Sequence, residues 1–439
     1  MCSFPGFAKI SLGLGLVLAA CGGTAAPSSA PAASVAASKP AASVAASAAA
    51  SAKPSAAGSA AAKPVATTLP VVAADTTQLT LTKVPIPPAT GKTLSVDIME
   101  VNQATRRLYV TDRTDGGISV FDTSASPAKY LTTAKTKGDP NGITVAANVN
   151  KILFGEGTTT ATTPADQQSL IGIADISDPN APKVLAELSA GGKKRSDEVD
   201  YDPNTKKGMV ANSDDQFVTI VDMTSDTIAK KIDLPGGALE QPRYNPTDKF
   251  MYLTGSEDNV LYQFDMNAMT MTKKMDLGDK CNPNGIAINP TLNIAVLACS
   301  ATTNQHLAIW DFKTSKVTST IDKAGAGDEA IYDAKANKFF VAASNYYRGG
   351  QMAILNGDGT FFTNVPTAVG SHGVAYDEGT NTVFAQDQLP NQGVLFAFEV
   401  PATPGGGGSA AGLAGSSVAA KPAASTAGAT SAAPKPSAS

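Results

Sequence analysis

The sequence predicts an all-β protein: a seven-bladed β-propeller of four-stranded antiparallel blades, closed by an N-terminal strand and flanked by disordered N- and C-terminal tails. Three observations predict this architecture. Seven units follow one another at a nearly constant spacing between residues 97 and 400, and each contains four short β-prone segments. The flanking segments are almost wholly Ala, Ser, Pro, Gly, Thr and Val, which bury too little apolar surface to fold.

We therefore expect four regions along the chain. Residues 1–20 are a lipoprotein signal peptide, 21–74 a disordered Ala/Ser/Pro/Lys-rich spacer, 75–401 the propeller and 402–439 a disordered tail rich in Gly, Ala, Ser and Pro. In this arrangement the spacer holds the folded domain away from a membrane.

The N-terminal prediction depends on Cys21. An apolar run over 10–20 follows Lys9 and is too short to span a bilayer as a mature helix. The run ends Leu18-Ala19-Ala20-Cys21, which resembles a bacterial lipobox. This resemblance implies that Cys21 becomes the first mature residue and carries a lipid, so that the protein is extracytoplasmic and membrane-anchored in the bacterial cell envelope. The alternative is an ordinary secretory signal peptide.

Composition excludes several functions. All 38 acids but only 28 of the 34 bases lie within 75–401, so this region carries a net charge of −10 and nucleic acid is not an expected partner. The four cysteines form no CxxC or CxxCH motif, which argues against a zinc ribbon, a thioredoxin motif and a c-type haem. Two histidines are too few for His-rich copper or multi-haem chemistry.

The repeat is defined by the first residue of each aligned unit, here called the leading residue. Successive leading residues are 44, 56, 43, 44, 44 and 44 positions apart, and the long step contains a Thr-rich insertion over 158–168. The leading residues are Asp97, Asn141, Asp197, Glu240, Asn284, Asp328 and His372. Four short strands recurring every 40–50 residues are typical of a propeller blade.

The strands of each unit are called A to D. The seventh unit has no strand D of its own, and the segment Gln78–Ile86 matches strand D elsewhere, so it is expected to complete that blade and tie the ends of the ring together. Strand C ends in an acid or amide in six units, where an Asx side chain can hold the following turn. The residues concerned are Asp122, Asp175, Asp222, Asp265, Asp311 and Asn356.

One family resemblance follows from the repeat residues. The segments Leu108-Tyr109-Val110-Thr111-Asp112 and Asn284-Gly285-Ile286-Ala287-Ile288-Asn289-Pro290 resemble the YVTN-type bacterial propeller repeat. That family is similar to the lactonase-like seven-bladed propellers. The resemblance covers most of 96–400 and implies the fold; for function it suggests a lactonase-like hydrolase as one alternative.

The leading residues are expected to converge at one mouth of the central channel, because strand A lines the channel in each blade. We identify a candidate ligand-binding set there: Asp97, Asn141, Asp197, Glu198, Glu240, Arg243, Asn284, Asp328, Glu329 and His372. The connections from strand B to strand C add further acids on this face, among them Glu156 and Glu257. Three interpretations stay open: a water-filled mouth, a site for a ligand or partner, and a site for Ca²⁺ or another divalent cation.

Two further hypotheses concern single residues. His372 is either a general base near Glu329 or Arg243, or a histidine that bonds its neighbours. Cys281 and Cys299 lie near each other across the hairpin of the fifth unit, and either form a disulfide or stay two buried thiols. No catalytic residue is predicted.

The sequence therefore predicts a lipid-anchored extracytoplasmic propeller, expected to be monomeric, that binds a protein, a wall polymer or a small ligand through its acidic mouth. The alternative is a divalent-cation-dependent, lactonase-like hydrolase that uses the same residues. A third hypothesis, an accessory protein of a periplasmic redox enzyme, depends on family association alone.

Overall fold

The computed structural model describes residues 75–158, 168–278, 280–344, 349–386 and 391–403. The predicted signal peptide, Cys21, the spacer 21–74, the tail from 404 onward and nearly all of the Thr-rich insertion lie outside the described residues. The described residues form 28 β-strands and three short 3₁₀ helices at Pro87–Ala89, Ala147–Val149 and Ser213–Asp215. None of the helices among them is both long and apolar enough to cross a membrane.

The strands form seven four-stranded antiparallel sheets, which are the blades of a propeller. Blade 1 contains β2 (Val96–Asn102), β3 (Arg107–Asp112), β4 (Gly117–Asp122) and β5 (Lys129–Lys135). Blade 2 contains β6 (Pro140–Ala146), β7 (Lys151–Thr158), β8 (Ser169–Asp175) and β9 (Lys183–Ser189). Blade 3 contains β10 (Val199–Asp202), β11 (Lys207–Asn212), β12 (Phe217–Asp222) and β13 (Thr227–Asp233).

The later blades repeat this order. Blade 4 contains β14 (Leu239–Asn245), β15 (Phe250–Gly255), β16 (Val260–Asp265) and β17 (Thr270–Asp276). Blade 5 contains β18 (Pro283–Asn289), β19 (Ile294–Cys299), β20 (His306–Asp311) and β21 (Lys316–Ile321). Blade 6 contains β22 (Ala330–Asp333), β23 (Lys338–Ala343), β24 (Gln351–Asn356) and β25 (Phe361–Pro366). Blade 7 contains β26 (Val374–Asp377), β27 (Thr382–Gln386), β28 (Val394–Glu399) and, as its outer strand, β1 (Thr82–Pro85).

The ring is closed in two ways. Strand A of every blade contacts strand A of the next blade, and β26 of blade 7 contacts β2 of blade 1. The N-terminal strand β1 pairs with β28, with Lys83 opposite Phe396, so the first strand of the chain completes the last blade. The predicted seven-bladed fold and its N-terminal closing strand are confirmed, although β1 covers only part of the segment 78–86.

The hydrophobic core lies between the blades. Seven clusters of buried side chains are present among the described residues, and each is shared by two adjacent blades. Tyr201, Tyr244 and Tyr376 of strand A belong to these clusters. A single blade would expose both apolar faces, so closure of the ring is what buries them.

Turns on the face opposite the leading residues are held by Asx side chains. The carboxylates that end strand C accept a backbone N–H two residues later in five blades, over 2.7–2.9 Å. Side-chain and backbone hydrogen bonds from Ser124 and from Ser177 lower the pKa of Asp122 and of Asp175, and the Thr224 N–H lowers the pKa of Asp222. The structural role predicted for the strand C acids is confirmed in these blades. Asn356 differs, because its side-chain amide donates to Thr360 instead.

Every strand A is irregular at its leading residue. The pairing of strands A and B shifts register across this residue in blades 1, 2, 4 and 5, and in blades 3, 6 and 7 the regular strand begins two residues later. A bulge of this kind breaks the strict alternation of side chains along a strand. In blade 3 the Asp197 N–H donates to the Ala211 carbonyl and the Ala211 N–H donates to the Glu198 carbonyl. Asp197 and Glu198 thus both lie opposite Ala211, and both line the mouth.

The position after the leading residue is glycine in blades 2, 5 and 7, because the next blade comes too close there for a side chain. A Cβ on Gly142, Gly285 or Gly373 would lie 2.3–2.6 Å from the carbonyl oxygen of the next blade's leading residue. Blades 3, 4 and 6 carry Glu198, Gln241 and Glu329 at this position. These three side chains therefore occupy equivalent positions directly after the leading residues, here called the row.

Candidate functional site

The structure brings all seven leading residues together at one mouth of the channel. A cavity of about 240 Å³ lies among them, and its lining is formed by Asp97, Arg195, Asp197, Glu198, Glu240, Asn284 and Asp328. Asn141 and His372 are joined to this group through Arg113 and Asp97. The mouth is therefore a polar site to which every blade contributes.

One side of the mouth, here called the paired half, consists of Asp97, Arg113, Asn141 and His372. Asp97 accepts a hydrogen bond from His372 Nε2 at 2.6 Å and forms an ion pair with Arg113. Arg113 Nε also donates to the Asn141 side-chain oxygen at 3.1 Å. Asn141 in turn donates to the Ser196 carbonyl at 2.8 Å.

The paired half is charged at neutral pH. Burial opposes ionisation of Asp97, but the hydrogen bond from His372 and the charge of Arg113 outweigh it and lower the pKa of Asp97. Burial likewise opposes protonation of His372, but its hydrogen bond to Asp97 and the Asp97 charge raise its pKa to about 9. The other ring nitrogen, Nδ1, lies 2.7 Å from the Gly370 carbonyl.

His372 therefore bonds its neighbours, which was the second of its two predicted roles. A general base must accept a proton near neutral pH, and an imidazole with a pKa of about 9 is already protonated. Glu329 and Arg243, the neighbours proposed for His372, form hydrogen bonds to other groups. The Glu329 carboxylate accepts the Val374 N–H at 2.7 Å, and Arg243 donates to the Ala330 carbonyl at 3.0 Å.

The opposite side of the mouth, here called the acidic cluster, consists of Glu198, Glu240 and Asp328. Their carboxylate oxygens lie within 4.8 Å of one another. Among the described residues no cation forms an ion pair with any of the three. Burial raises the pKa of Asp328, and burial together with the charge of Asp328 raises those of Glu198 and Glu240 well above the ordinary value.

Asp197 lies between the two groups. Its carboxylate forms a 3.0 Å ion pair with Arg195 Nη2, and Arg195 also approaches Asp214 at 3.6 Å. Burial nevertheless raises the pKa of Asp197 to about 7, because the Arg195 charge offsets only part of the cost and Asp97 and Asp328 add repulsion. The Arg195 charge thus neutralises part of the mouth, but within the described residues Arg195 forms no ion pair with Glu240.

Several polar side chains deeper in the channel join one blade to the next. Each accepts a strand A N–H that faces the channel: Glu100 from Val145 at 3.0 Å, Asp200 from Tyr244, Gln241 from Ile286 at 2.7 Å and Glu329 from Val374 at 2.7 Å. These bonds satisfy backbone donors that no strand covers. Glu329 and Arg243, both in the predicted ligand-binding set, lie in this interblade network rather than at the mouth cavity.

Two of the outer acids of this face form ion pairs with lysines, and a third is hydrogen-bonded. Asp115 pairs with Lys135 at 3.1 Å, Asp258 with Lys274 at 2.7 Å, and Asp112 accepts a hydrogen bond from Ser119 at 2.9 Å. The acids that the sequence placed on this face are therefore partly neutralised at its rim, whereas within the described residues the acidic cluster forms no ion pair.

Sequence analysis did not identify Arg113 and Arg195. Both lie in connecting segments, one directly after strand B of blade 1 and the other two residues before a leading residue. In the sequence, Arg113 is a lone basic residue between Asp112 and Asp115, whereas Arg195 ends the basic run Lys193-Lys194-Arg195. The ion pairs they form can be recognised only once the two connections are known to meet over the channel.

The two cysteines of blade 5 are joined. Cys281 and Cys299 form a disulfide with Cα atoms 4.3 Å apart, and Cys299 lies opposite His306 in the neighbouring strand. Both cysteines are fully buried in the cluster between blades 4 and 5. The disulfide is therefore a core feature and lies outside the mouth cavity.

Comparison with protein-family models gives no match for this chain, and comparison with curated proteins gives none either.

Proposed function

We propose that this protein is a lipid-anchored extracytoplasmic propeller of the YVTN type that binds a ligand or partner through the channel mouth. The observation that carries the proposal is the mouth cavity, where polar side chains from separate blades surround about 240 Å³ of space. A concave site with convergent polar groups is the usual form of a binding site. The fold is compatible with an interaction module.

Two features support the extracytoplasmic location. The segment 18–21 resembles a lipobox, and a disulfide between Cys281 and Cys299 suits an oxidising compartment. In a cell-fractionation experiment, Cys21→Ala should release the protein from the membrane fraction. Unchanged retention of this variant in the membrane would contradict lipid anchoring.

The binding face can be tested by site-specific photocrosslinking in intact envelopes. A crosslinker at Lys193, exposed in the connection that leads to Arg195, samples the mouth, whereas one at Thr314 samples the opposite face. We expect adducts from position 193 and few from position 314. Equal yields from both positions, or none from position 193, would contradict a specific binding face.

A lactonase-like hydrolase is the alternative function. It would place a divalent cation at the acidic cluster and would need a group that accepts a proton. The protonated state of His372 makes that residue unsuited to the task. We therefore expect no hydrolysis of lactones by the purified protein with Ca²⁺, Mg²⁺ or Mn²⁺, and metal-dependent turnover would favour the hydrolase instead.

A further inference from the structure

Glu198 is a buried carboxylate without a partner. The residue is only 4% exposed, and its carboxylate forms no hydrogen bond or ion pair with any described residue. It lines the mouth cavity together with Glu240 and Asp328. Burial of a carboxylate is costly unless it is paired or hydrogen-bonded, and within the described residues the Glu198 carboxylate is neither.

Other side chains of the row, directly after the leading residues, accept a hydrogen bond from the next blade. In blade 4, Gln241 of this row accepts the N–H of Ile286, two residues after the leading residue of blade 5. In blade 6, Glu329 accepts the N–H of Val374, at the same position of blade 7. Each side chain is thereby held against the next blade.

Glu198 occupies the same row in blade 3, but its target position in blade 4 is Pro242. Proline has no backbone N–H to donate. The register confirms the equivalence, because Pro242 pairs with Leu253 of strand B as Ile286 pairs with Leu297. Pro242 therefore lacks the N–H that, at this position of blades 5 and 7, holds Gln241 and Glu329. The Glu198 carboxylate has no such hydrogen bond and lines the cavity.

We propose that Glu198, Glu240 and Asp328 bind a divalent cation at the channel mouth, with Ca²⁺ the preferred ion. This inference rests on the proposed binding role of the mouth and specifies the ligand. The three carboxylates supply only hard oxygen donors, and their oxygens already lie within 4.8 Å of one another. Ca²⁺ takes six to eight oxygen ligands, including carboxylates and waters.

The size and surroundings of the site suit such an ion. A water molecule occupies roughly 30 Å³ of liquid, so a cavity of about 240 Å³ has room for an ion that keeps several waters. The side chain of Asn284 lies at the cavity wall, where its amide oxygen can serve as a further neutral ligand. His372 is engaged by Asp97, so no imidazole competes for the ion and Zn²⁺ is disfavoured.

The test is Ca²⁺ binding by the full chain purified in detergent and freed of metal with EDTA. Isothermal titration with CaCl₂ should show one saturable site, and the melting temperature should rise by roughly 3–5 °C at a hundredfold excess over Kd. Mg²⁺ should bind more weakly because it requires stricter octahedral geometry. Absence of saturable Ca²⁺ binding would overturn the inference.

Three variants and one control identify the site. Glu198→Gln and Asp328→Asn should each weaken Ca²⁺ binding about tenfold or more, because each removes a charged ligand. Pro242→Ala restores an N–H that can hold Glu198 against blade 4, and it should weaken binding too. The control is Glu257→Gln, which makes the same change in charge at an exposed position of this face and should leave binding unchanged.

Equal Ca²⁺ affinity in Glu198→Gln and Glu257→Gln would show that the ion binds elsewhere and would overturn the inference. The outcome is separable from that of the proposed function. Crosslinks from Lys193 without Ca²⁺ binding would leave the binding face intact and remove only the ion site. Ca²⁺ binding without such crosslinks would support the ion site and remove the macromolecular partner.

Discussion

The buried carboxylates on the two sides of the channel mouth differ in how their charge is balanced, and their pKa values shift in opposite directions. In the paired half, Asp97 is flanked by His372 and Arg113, and its pKa is lowered. In the acidic cluster, a few ångströms away, Glu198, Glu240 and Asp328 face one another without a cation, and their pKa values are raised. Asp97 and His372 on one side, and Glu240 and Asp328 on the other, are all leading residues of the same repeat.

The difference shows that the repeat determines where a side chain lies but not how its charge is balanced. Leading residues converge because strand A of each blade lines the channel. Their neutralisation depends on residues outside the repeat pattern, namely Arg113 and Arg195 in connecting segments. Within the described residues, Arg113 and His372 thus pair with Asp97 in the paired half, whereas no cationic side chain pairs with the acidic cluster.

The largest expected effect comes from breaking the paired half. Asp97→Asn leaves Arg113 and His372 without their shared anion in a buried site, and loss of one partner from a buried ion pair costs about 3–5 kcal/mol. Urea denaturation at pH 7 should show this loss of unfolding free energy.

A matched control is Asp233→Asn, because Asp233 is 85% exposed and pairs with Lys231 at 3.6 Å. Its substitution should cost less than about 1 kcal/mol, as is usual for surface ion pairs. Equal effects of the two substitutions would mean that Asp97 is not held as an anion.

The next test uses an unpaired acid outside the cluster. Glu156 is fully buried, accepts the Gly138 N–H at 2.6 Å through one oxygen, and leaves its other oxygen without a partner. Burial raises its pKa from its ordinary value of 4.5 to about 7. Between those values the folded protein binds more protons than the unfolded chain, so this residue makes stability fall as pH rises from about 4.5 to 7.

Glu156→Gln should remove that dependence. A shift of this size corresponds to up to about 3 kcal/mol, so the variant should be stabilised relative to wild type at pH 8 and little changed at pH 4. Urea denaturation across this pH range measures the difference. A constant difference between the two proteins at all pH values would contradict a protonated Glu156 in the fold.

The fold follows from the sequence almost completely, for a physical reason. Core and turn positions recur in every blade, so the apolar, β-prone run Leu108-Tyr109-Val110 and the strand C acids indicate strands and turns by local rules. The closing strand was predictable because blade 7 lacks a strand D. The position of the leading residues at one mouth follows from the same periodicity.

The balance of charge at the mouth could not be predicted in the same way. It depends on the irregular start of strand A, through which both Asp197 and Glu198 line the cavity. It also depends on interblade hydrogen bonds such as that from Val374 to Glu329. Pro242 was visible in the sequence. Its consequence follows only from the strand register, which places Pro242 where Ile286 of the next blade supplies an N–H to Gln241.

The smallest expected effect has the opposite sign and sharpens the comparison. Glu198→Gln removes the cost of ionising a buried carboxylate beside Asp328, where no cationic side chain offsets that cost. In EDTA it should therefore stabilise the protein increasingly as pH rises, by about 1–2 kcal/mol at pH 9. The gain is smaller than the loss in Asp97→Asn because water in the cavity already solvates part of the carboxylate. Urea denaturation beside Glu257→Gln, which should change stability by less than about 0.5 kcal/mol, measures it. A loss of stability in Glu198→Gln would mean that this carboxylate holds the blades together as Glu329 does, and the two sides of the mouth would then be alike.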